Sequence, residues 1–152
     1  MHFSDQDRFF MESAMELAKE SFLQDEVPVG AVVVKENKII GSGRNTVIAD
    51  NDVSSHAEIN ALRSASKELN NFRLNGCSIY VTLEPCHMCA KAIVDARLDM
   101  LVFAAKEPKT GSICSIDNFL ENKALNHSVK YKFGLSEDIS ANLLKDFFKQ
   151  KR

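Results

Sequence analysis

The stretch Cys77-Ser-Ile-Tyr-Val-Thr-Leu83, followed directly by Glu84-Pro-Cys-His-Met-Cys89, decides the fold. Its first seven residues are mostly apolar, β-branched or aromatic, which is typical of a buried strand. Pro85 suits the first turn of a helix, because a proline has no N–H group that would need a partner there. The sequence therefore predicts a strand over 77–83 that leads at once into a helix over about 85–96.

Outward from this stretch, strands and helices alternate along the chain. We predict further helices over 5–23, about 56–69, 117–123 and 137–149, and further strands over 29–34, 38–43, 100–105 and 129–133. This order indicates a three-layer α/β/α domain. A chain of 152 residues is long enough for one domain with a substantial core and too short for two comfortable ones, so we expect a single domain over 1–152.

Composition narrows the classes of protein that fit. No apolar run approaches the roughly 20 residues that a transmembrane helix needs, and Met1 to Arg8 lack the apolar stretch of a signal peptide. We therefore expect a cytoplasmic protein with no membrane partner. The net charge of −2 argues against a non-specific nucleic-acid binder with a large basic surface, although local basic patches are compatible with it.

Three side chains form a candidate zinc site: His56, Cys86 and Cys89. The two cysteines, at i and i+3, share one face of the predicted first helical turn, where the helix dipole favours thiolates. Three protein ligands leave one position for water, as in catalytic zinc sites. The other two cysteines, Cys77 and Cys114, lack ligand spacing, and we expect them to be small buried residues.

Glu58 is the candidate catalytic residue, as a proton shuttle for a zinc-activated water. Residues i and i+2 do not face each other inside a helix, so His56 and Glu58 can approach one metal only near a helix start. The alternative is a capping box, in which Glu58 bonds back to the Ser55 amide. His87 should point elsewhere, because it lies about 100° around the helix from Cys86.

The order H-x-E and then P-C-x-x-C is the signature of zinc-dependent nucleobase deaminases. Beyond it, the chain resembles the bacterial tRNA-specific adenosine deaminases over nearly its whole length. The segments that carry the resemblance are Glu26-Val-Pro-Val-Gly-Ala-Val32, Gly41-Ser-Gly-Arg-Asn45, His56-Ala-Glu-Ile59, Ala61-Leu-Arg63, Asn71-Phe-Arg-Leu74, Tyr80-Val-Thr-Leu-Glu-Pro-Cys86, Lys109-Thr-Gly111, Asn126-His127 and Leu144-Lys-Asp-Phe-Phe148.

The resemblance implies a cytidine-deaminase-like fold with a mixed five-stranded sheet. It implies hydrolytic deamination of adenosine to inosine at the wobble position of a tRNA anticodon, one zinc ion per subunit, and a homodimer whose two subunits both touch the tRNA. It assigns zinc binding to His56, Cys86 and Cys89, and the proton shuttle to Glu58. The further residues that it assigns to the substrate are Asn45, Val27, Pro28, Leu83 and Glu84.

Two further segments are candidate RNA contacts. Glu107-Pro-Lys109 matches a loop that usually has aspartate in place of Glu107 and touches the RNA backbone. The terminal helix mixes basic and aromatic residues, a combination that suits single-stranded RNA: Lys145, Phe147, Phe148, Lys149, Lys151 and Arg152. The alternative for Phe147 and Phe148 is that they pack the helix onto the domain.

Two other functions are compatible with the zinc motifs. One is a small-molecule deaminase that acts on guanine or a cytosine nucleoside. The other is a non-catalytic RNA-binding module that zinc stabilises. The presence of Glu58 and the open ligand position argue against the second.

Overall fold

The computed structural model describes residues 1–151, so Arg152 lies outside the described residues. The strands are β1 (Gly30–Lys35), β2 (Lys38–Arg44), β3 (Cys77–Leu83), β4 (Met100–Ala105) and β5 (Lys130–Phe133). The α-helices are α1 (Asp5–Leu23), α2 (Val47–Asp50), α3 (Ala57–Leu69), α4 (His87–Asp95) and α5 (Glu137–Gln150). None of the helices in this part of the chain is both long and apolar enough to cross a membrane.

The five strands form one mixed sheet in the order β2-β1-β3-β4-β5. Strand β1 pairs antiparallel with β2 and β3, whereas β3, β4 and β5 are parallel. Because side chains alternate along a strand, Val33 and Ile79 face α3 and α4, and Val32 and Tyr80 face α1. The predicted three-layer α/β/α fold with a mixed five-stranded sheet is confirmed.

Close packing of β2 against α3 fixes the start of α3, where two predicted site residues lie. A Cβ atom on Gly43 would stand 2.4 Å from the backbone nitrogen of Ala61, and one on Gly41 would stand 2.5 Å from that of Ala65. Only glycine permits this approach of strand to helix. The helix therefore sits directly on the strand that ends beside Asn45.

Apart from one-residue differences at the ends of elements, the prediction differs from the structure in three places. Helix α4 begins at His87, because Cys86 is extended (ψ 177°) and serves as the N-cap. The predicted helix over 117–123 shrinks to a 3₁₀ turn, Phe119–Glu121. The short helix α2 was not predicted, since its first two residues, Val47 and Ile48, are β-branched and favour strands.

Candidate active site

Two helix starts meet at the candidate zinc site. His56 is the N-cap of α3, Cys86 is the N-cap of α4, and Cys89 lies in the first turn of α4. The Nδ1 atom of His56 is 3.6 Å from Sγ of Cys86 and 3.5 Å from Sγ of Cys89. The ligand atoms of all three residues lie within 4.8 Å of one another. The structure thus brings the three predicted zinc ligands together.

These separations fit a tetrahedral zinc ion. With Zn–S bonds of about 2.3 Å and Zn–N bonds of about 2.0–2.1 Å, tetrahedral angles place nitrogen and sulfur about 3.6 Å apart. The donor set also suits zinc, which prefers thiolate and imidazole ligands. His56, Cys86 and Cys89 are therefore able to hold the ion and leave its fourth position to the cavity.

Contact between the two cysteine sulfurs shifts their pKa values in opposite directions. A hydrogen bond from the Cys89 thiol lowers the pKa of Cys86 to about 4. Burial acts in the opposite direction, and a hydrogen bond with His56 lowers this pKa further. The same sulfur–sulfur contact, together with burial, raises the pKa of Cys89. The contact with Cys86 also raises the pKa of His56. A metal that binds here displaces the remaining thiol proton, so binding is coupled to proton release.

Glu58 lies in the first turn of α3 and is buried, with 4% of its surface exposed. Burial raises the pKa of Glu58 to about 7, which is the range in which a carboxyl group both accepts and returns a proton. The extended backbone of His56 (ψ 155°) lets both side chains reach one cavity from one helix start. His56, and not Ser55, is the N-cap, and the Ser55 N–H donates to the carbonyl of Asp52 (3.1 Å), so the alternative of a Ser55–Glu58 capping box is wrong.

A cavity of about 430 Å³ opens beside His56, Glu58 and Cys86. The other predicted residues that line it are Val27, Asn45, Leu83, Glu84, Glu107, Phe147 and Lys151. Three predicted substrate residues are not part of this lining: Pro28, which is buried, and Lys109 and Phe148, which are exposed.

Asn45 presents its side chain to this cavity from a fixed backbone. Its carbonyl accepts a hydrogen bond from Oγ of Ser21 (2.9 Å), and its N–H donates to the carbonyl of Val29 (3.0 Å). Within residues 1–151, the side-chain amide of Asn45 makes no hydrogen bond, although the residue is only 8% exposed. An amide held in this way offers both a donor and an acceptor to whatever enters the cavity.

Comparisons with known proteins decide the family. Residues 4–152 match the family model of the MafB19-like deaminases. The tRNA-specific adenosine deaminase of Aquifex aeolicus is 42% identical over 144 residues, which cover 95% of each chain. The chain belongs to the tRNA-specific adenosine deaminase family.

Solved structures agree with this membership. A structure from a study of A-to-I editing by tRNA:A34 deaminases superposes with a TM-score of 0.87 at 41% identity, over 90% of this chain and 99% of its own. The guanine deaminase from Nitrosomonas europaea superposes with a TM-score of 0.79 at 25% identity, over 92% of this chain and 83% of its own. The cytidine-deaminase-like fold of the tRNA deaminase neighbour is thus present here.

In this member of the tRNA-specific adenosine deaminase family, Glu84 organises the loop over 107–115. Its carboxylate accepts hydrogen bonds from the N–H groups of Glu107, Ile113, Cys114 and Ser115, at 2.7–3.0 Å, and from the Ser115 hydroxyl at 2.5 Å. Its own N–H donates to the carbonyl of Ala105 (2.8 Å), so the Glu84 carbonyl is the backbone group left for the cavity. Sequence reasoning assigned Glu84 to the substrate and missed this role, which only the loop reveals.

We expect Glu84→Gln to lower the free energy of unfolding at pH 7 by about 1.5–3 kcal/mol, the usual range for hydrogen bonds to a charged group. Burial acts to raise the pKa of Glu84, but hydrogen bonds from the Cys114 N–H, the Ser115 hydroxyl and other loop amides outweigh it and hold that pKa below its usual value. The pKa of Glu84 is thus lower in the folded protein than in the unfolded chain. The stabilisation is complete above the unfolded pKa of about 4.3 and is lost as the pH falls through the folded pKa.

Urea unfolding of the two proteins at pH 7 and pH 3 measures this effect. The difference in unfolding free energy should be large at pH 7 and should shrink at pH 3. Glu68→Gln, at an exposed position of α3, is the matched control and should have no such effect. A difference that stays constant between the two pH values would contradict the assignment.

The remaining cysteines and histidine that the sequence singled out lie outside the zinc cluster. His87 points away from it, as the helix geometry predicts, with Nε2 at 2.5 Å from Oδ2 of Asp117. Cys77 is fully buried in the core and Cys114 is half-buried against it, as predicted.

Phe147 and Phe148 on the terminal helix differ in exposure, so one fits the predicted packing role and the other the predicted RNA contact. Phe147 is 4% exposed, and its ring lies 5.8 Å from that of Phe22, so it packs α5 onto α1 while one edge lines the cavity. Phe148 is 46% exposed on a surface that it shares with Lys145 and Lys149. Only Phe148 therefore has the exposure that stacking on an RNA base requires.

Proposed function

We propose that this chain deaminates adenosine to inosine at the wobble position of a tRNA anticodon, with one zinc ion per subunit. The observation that carries the proposal is the cavity in which a three-ligand zinc site, the buried carboxyl of Glu58 and the unpaired amide of Asn45 converge. The names of the most similar relatives support adenosine in tRNA as the substrate.

His56, Cys86 and Cys89 are the residues that would hold the zinc ion. When bound, zinc supplies a Lewis acid that lowers the pKa of water at its open position. Two thiolates and a neutral imidazole cancel the charge of the ion, so a nearby base has more to contribute here than at a site made of three histidines. Glu58 is the buried carboxyl group in that position.

Glu58 moves the proton. Its carboxylate removes a proton from the attacking water and delivers it to the ring nitrogen next to the carbon under attack. Glu58 next carries the proton of the newly added hydroxyl group to the exocyclic amine. The C–N bond breaks, the amine leaves as ammonia, and the oxygen from water becomes the carbonyl oxygen of inosine. The burial that holds the pKa of Glu58 near 7 suits a group that must accept and return the same proton.

The cavity walls would hold the base. Asn45 offers its amide to a purine edge, while Val27, Leu83 and Phe147 supply apolar surface. The base has to leave the anticodon stack to reach this depth, as in other enzymes that act on nucleobases. Phe148, Lys109 and Glu107 remain proposed contacts to the RNA around it.

A homodimer in the cytoplasm whose two subunits share one tRNA is part of this proposal. The runner-up function is deamination of a free base such as guanine. The structural likeness to a guanine deaminase favours it, but the lower identity of 25% makes it the weaker candidate. A non-catalytic RNA-binding module would have no use for a buried Glu58 beside the zinc ligands.

An anticodon stem-loop with adenosine at the wobble position tests the proposal. We expect the zinc-loaded protein to convert that adenosine to inosine, as read by sequencing of the product, and to release one equivalent of ammonia. Free guanine, cytidine and adenosine should release ammonia far more slowly, because remote contacts to the loop contribute to transition-state binding. A stem-loop with guanosine at the same position is the matched control. Activity confined to the small molecules would exclude the tRNA substrate.

A further inference from the structure

One buried carboxylate beside the cavity has no part in the chemistry above. Glu26 follows α1 closely, is 2% exposed and lines the cavity. Within residues 1–151 it has no salt bridge. Its Oε1 accepts a hydrogen bond from the N–H of Ile48 (3.1 Å), and its Oε2 accepts one from the N–H of Ala49 (2.8 Å). Burying a carboxylate without a cation costs folding free energy unless hydrogen bonds offset that cost. The two backbone hydrogen bonds to Glu26 supply this offset.

The two amides belong to α2, which has no side-chain cap of its own. The expected N-cap, Thr46, turns its hydroxyl to Oδ2 of Asp50 (2.7 Å) and caps nothing. Glu26 therefore satisfies donors that the first turn of a helix leaves unpaired. It does so from 22 residues earlier in the chain.

The segment that Glu26 holds runs from Asn45 into α2 and forms one wall of the cavity, because Asn45, Val47 and Ile48 line it. Oγ of Ser21 binds the carbonyl of Asn45 (2.9 Å), so two side chains near the end of α1 hold this wall at two points. From the other side, Nδ2 of Asn60 donates to the carbonyl of Arg44 (2.9 Å). The wall thus depends on polar side chains from other elements for its position, and Glu26 is the charged member of that set.

The carboxylate of Glu26 is suited to hold this wall and poorly suited to move protons. Each of its oxygens already accepts one backbone N–H, and both amides lie beyond Asn45 in the chain. If the carboxylate became an amide, one of the two N–H groups would face an NH₂ group and lose its acceptor. The wall would then shift without any change in the zinc ligands or Glu58.

We propose that Glu26 is a positioning residue for substrate binding, which holds α2 and, through it, the amide of Asn45 at the place where the base binds. This inference rests on the function proposed above. It assigns to Glu26 an effect on the binding of the tRNA loop and none on zinc or on proton transfer.

Glu26→Gln in the zinc-loaded full chain tests it. We expect KM for the anticodon stem-loop to rise about tenfold while kcat changes by less than about threefold, the signature of lost binding that is common to ground and transition states. Zinc content should stay at one ion per subunit. Amide hydrogen exchange should accelerate at Ile48 and Ala49. Glu26→Asp keeps both acceptor oxygens, so its KM should lie between those of the unmodified protein and Glu26→Gln. It also serves as the second variant if the glutamine protein does not fold.

Asp7→Asn is the matched control. Asp7 accepts hydrogen bonds from the Ser4 N–H (2.9 Å) and the Tyr80 hydroxyl (2.6 Å), and none of these three residues lines the cavity, so its variant should lose stability without a change in KM. A fall in kcat and zinc content at constant KM would overturn the inference, as would unchanged KM and exchange in Glu26→Gln. Absence of inosine with the unmodified protein would instead overturn the proposed function, and the exchange rates at Ile48 and Ala49 would still report whether Glu26 holds the wall.

Discussion

Glu58→Gln should lower kcat on the anticodon stem-loop by about 10²- to 10⁴-fold, the usual contribution of a general acid–base group. The variant keeps the shape of the side chain but cannot take a proton from water or return it to the base. Its zinc content should remain at one ion per subunit, because Glu58 is not among the three ligands. Single-turnover kinetics and metal analysis of the same sample measure both quantities.

Two controls make this result specific. Glu68→Gln changes an exposed glutamate on the same helix and should leave kcat unchanged. Glu58→Ala should be as inactive as Glu58→Gln, since both lack the carboxyl group. Near-normal turnover by either Glu58 variant with full zinc content would refute the proton shuttle.

Cys89→Ala should abolish zinc binding and with it deamination. Cys89 is fully buried and supplies one of only three protein ligands, so the remaining pair, His56 and Cys86, cannot complete the site. The fold should survive, because its core lies on both faces of the sheet independently of the metal. The variant should lose the stabilisation that binding provides, about 2.7 kcal/mol when free zinc is at 100 times its Kd.

Metal analysis, stem-loop activity and thermal unfolding in defined zinc measure these effects together. Cys114→Ala is the matched control, since it removes a half-buried thiol outside the zinc cluster and should retain zinc and turnover. Chelation of zinc from the unmodified protein should reproduce the Cys89→Ala phenotype and be reversed by added zinc. Full zinc content in Cys89→Ala would show that the ion binds elsewhere.

Local patterns predicted most of the sheet and the metal ligands. The strands over 77–83 and 100–105 are runs of apolar and β-branched residues, and they agree with the structure to the residue. The spacing of Cys86 and Cys89 needs only a helix start to bring two sulfurs to one face. These patterns involve residues that are close together in the chain, so they predict structure before the fold is known.

Where a residue acts through distant partners, the sequence was less informative. The relation of His56 to Glu58 depended on whether His56 is helical, and tertiary packing of α3 on β2 placed it as an extended N-cap. Helix α2 went unpredicted because its first two residues favour strands and because the carboxylate that binds its amides comes from Glu26, far earlier in the chain. Neither contact leaves a local pattern.

By itself, the sequence determined the α/β class and the set of candidate site residues, which are the three candidate zinc ligands and Glu58 beside them. The class follows from side-chain periodicity, the cysteine pair from a spacing that one helix turn converts into proximity, and His56 and Glu58 from the order of the two motifs. Only the tertiary structure decided that Glu84 serves the loop over 107–115, that Phe147 is packed while Phe148 is exposed, and that Glu26 holds the wall behind Asn45. Buried carboxylates find backbone donors across long stretches of chain, and no spacing in the sequence encodes which loop will come to meet them.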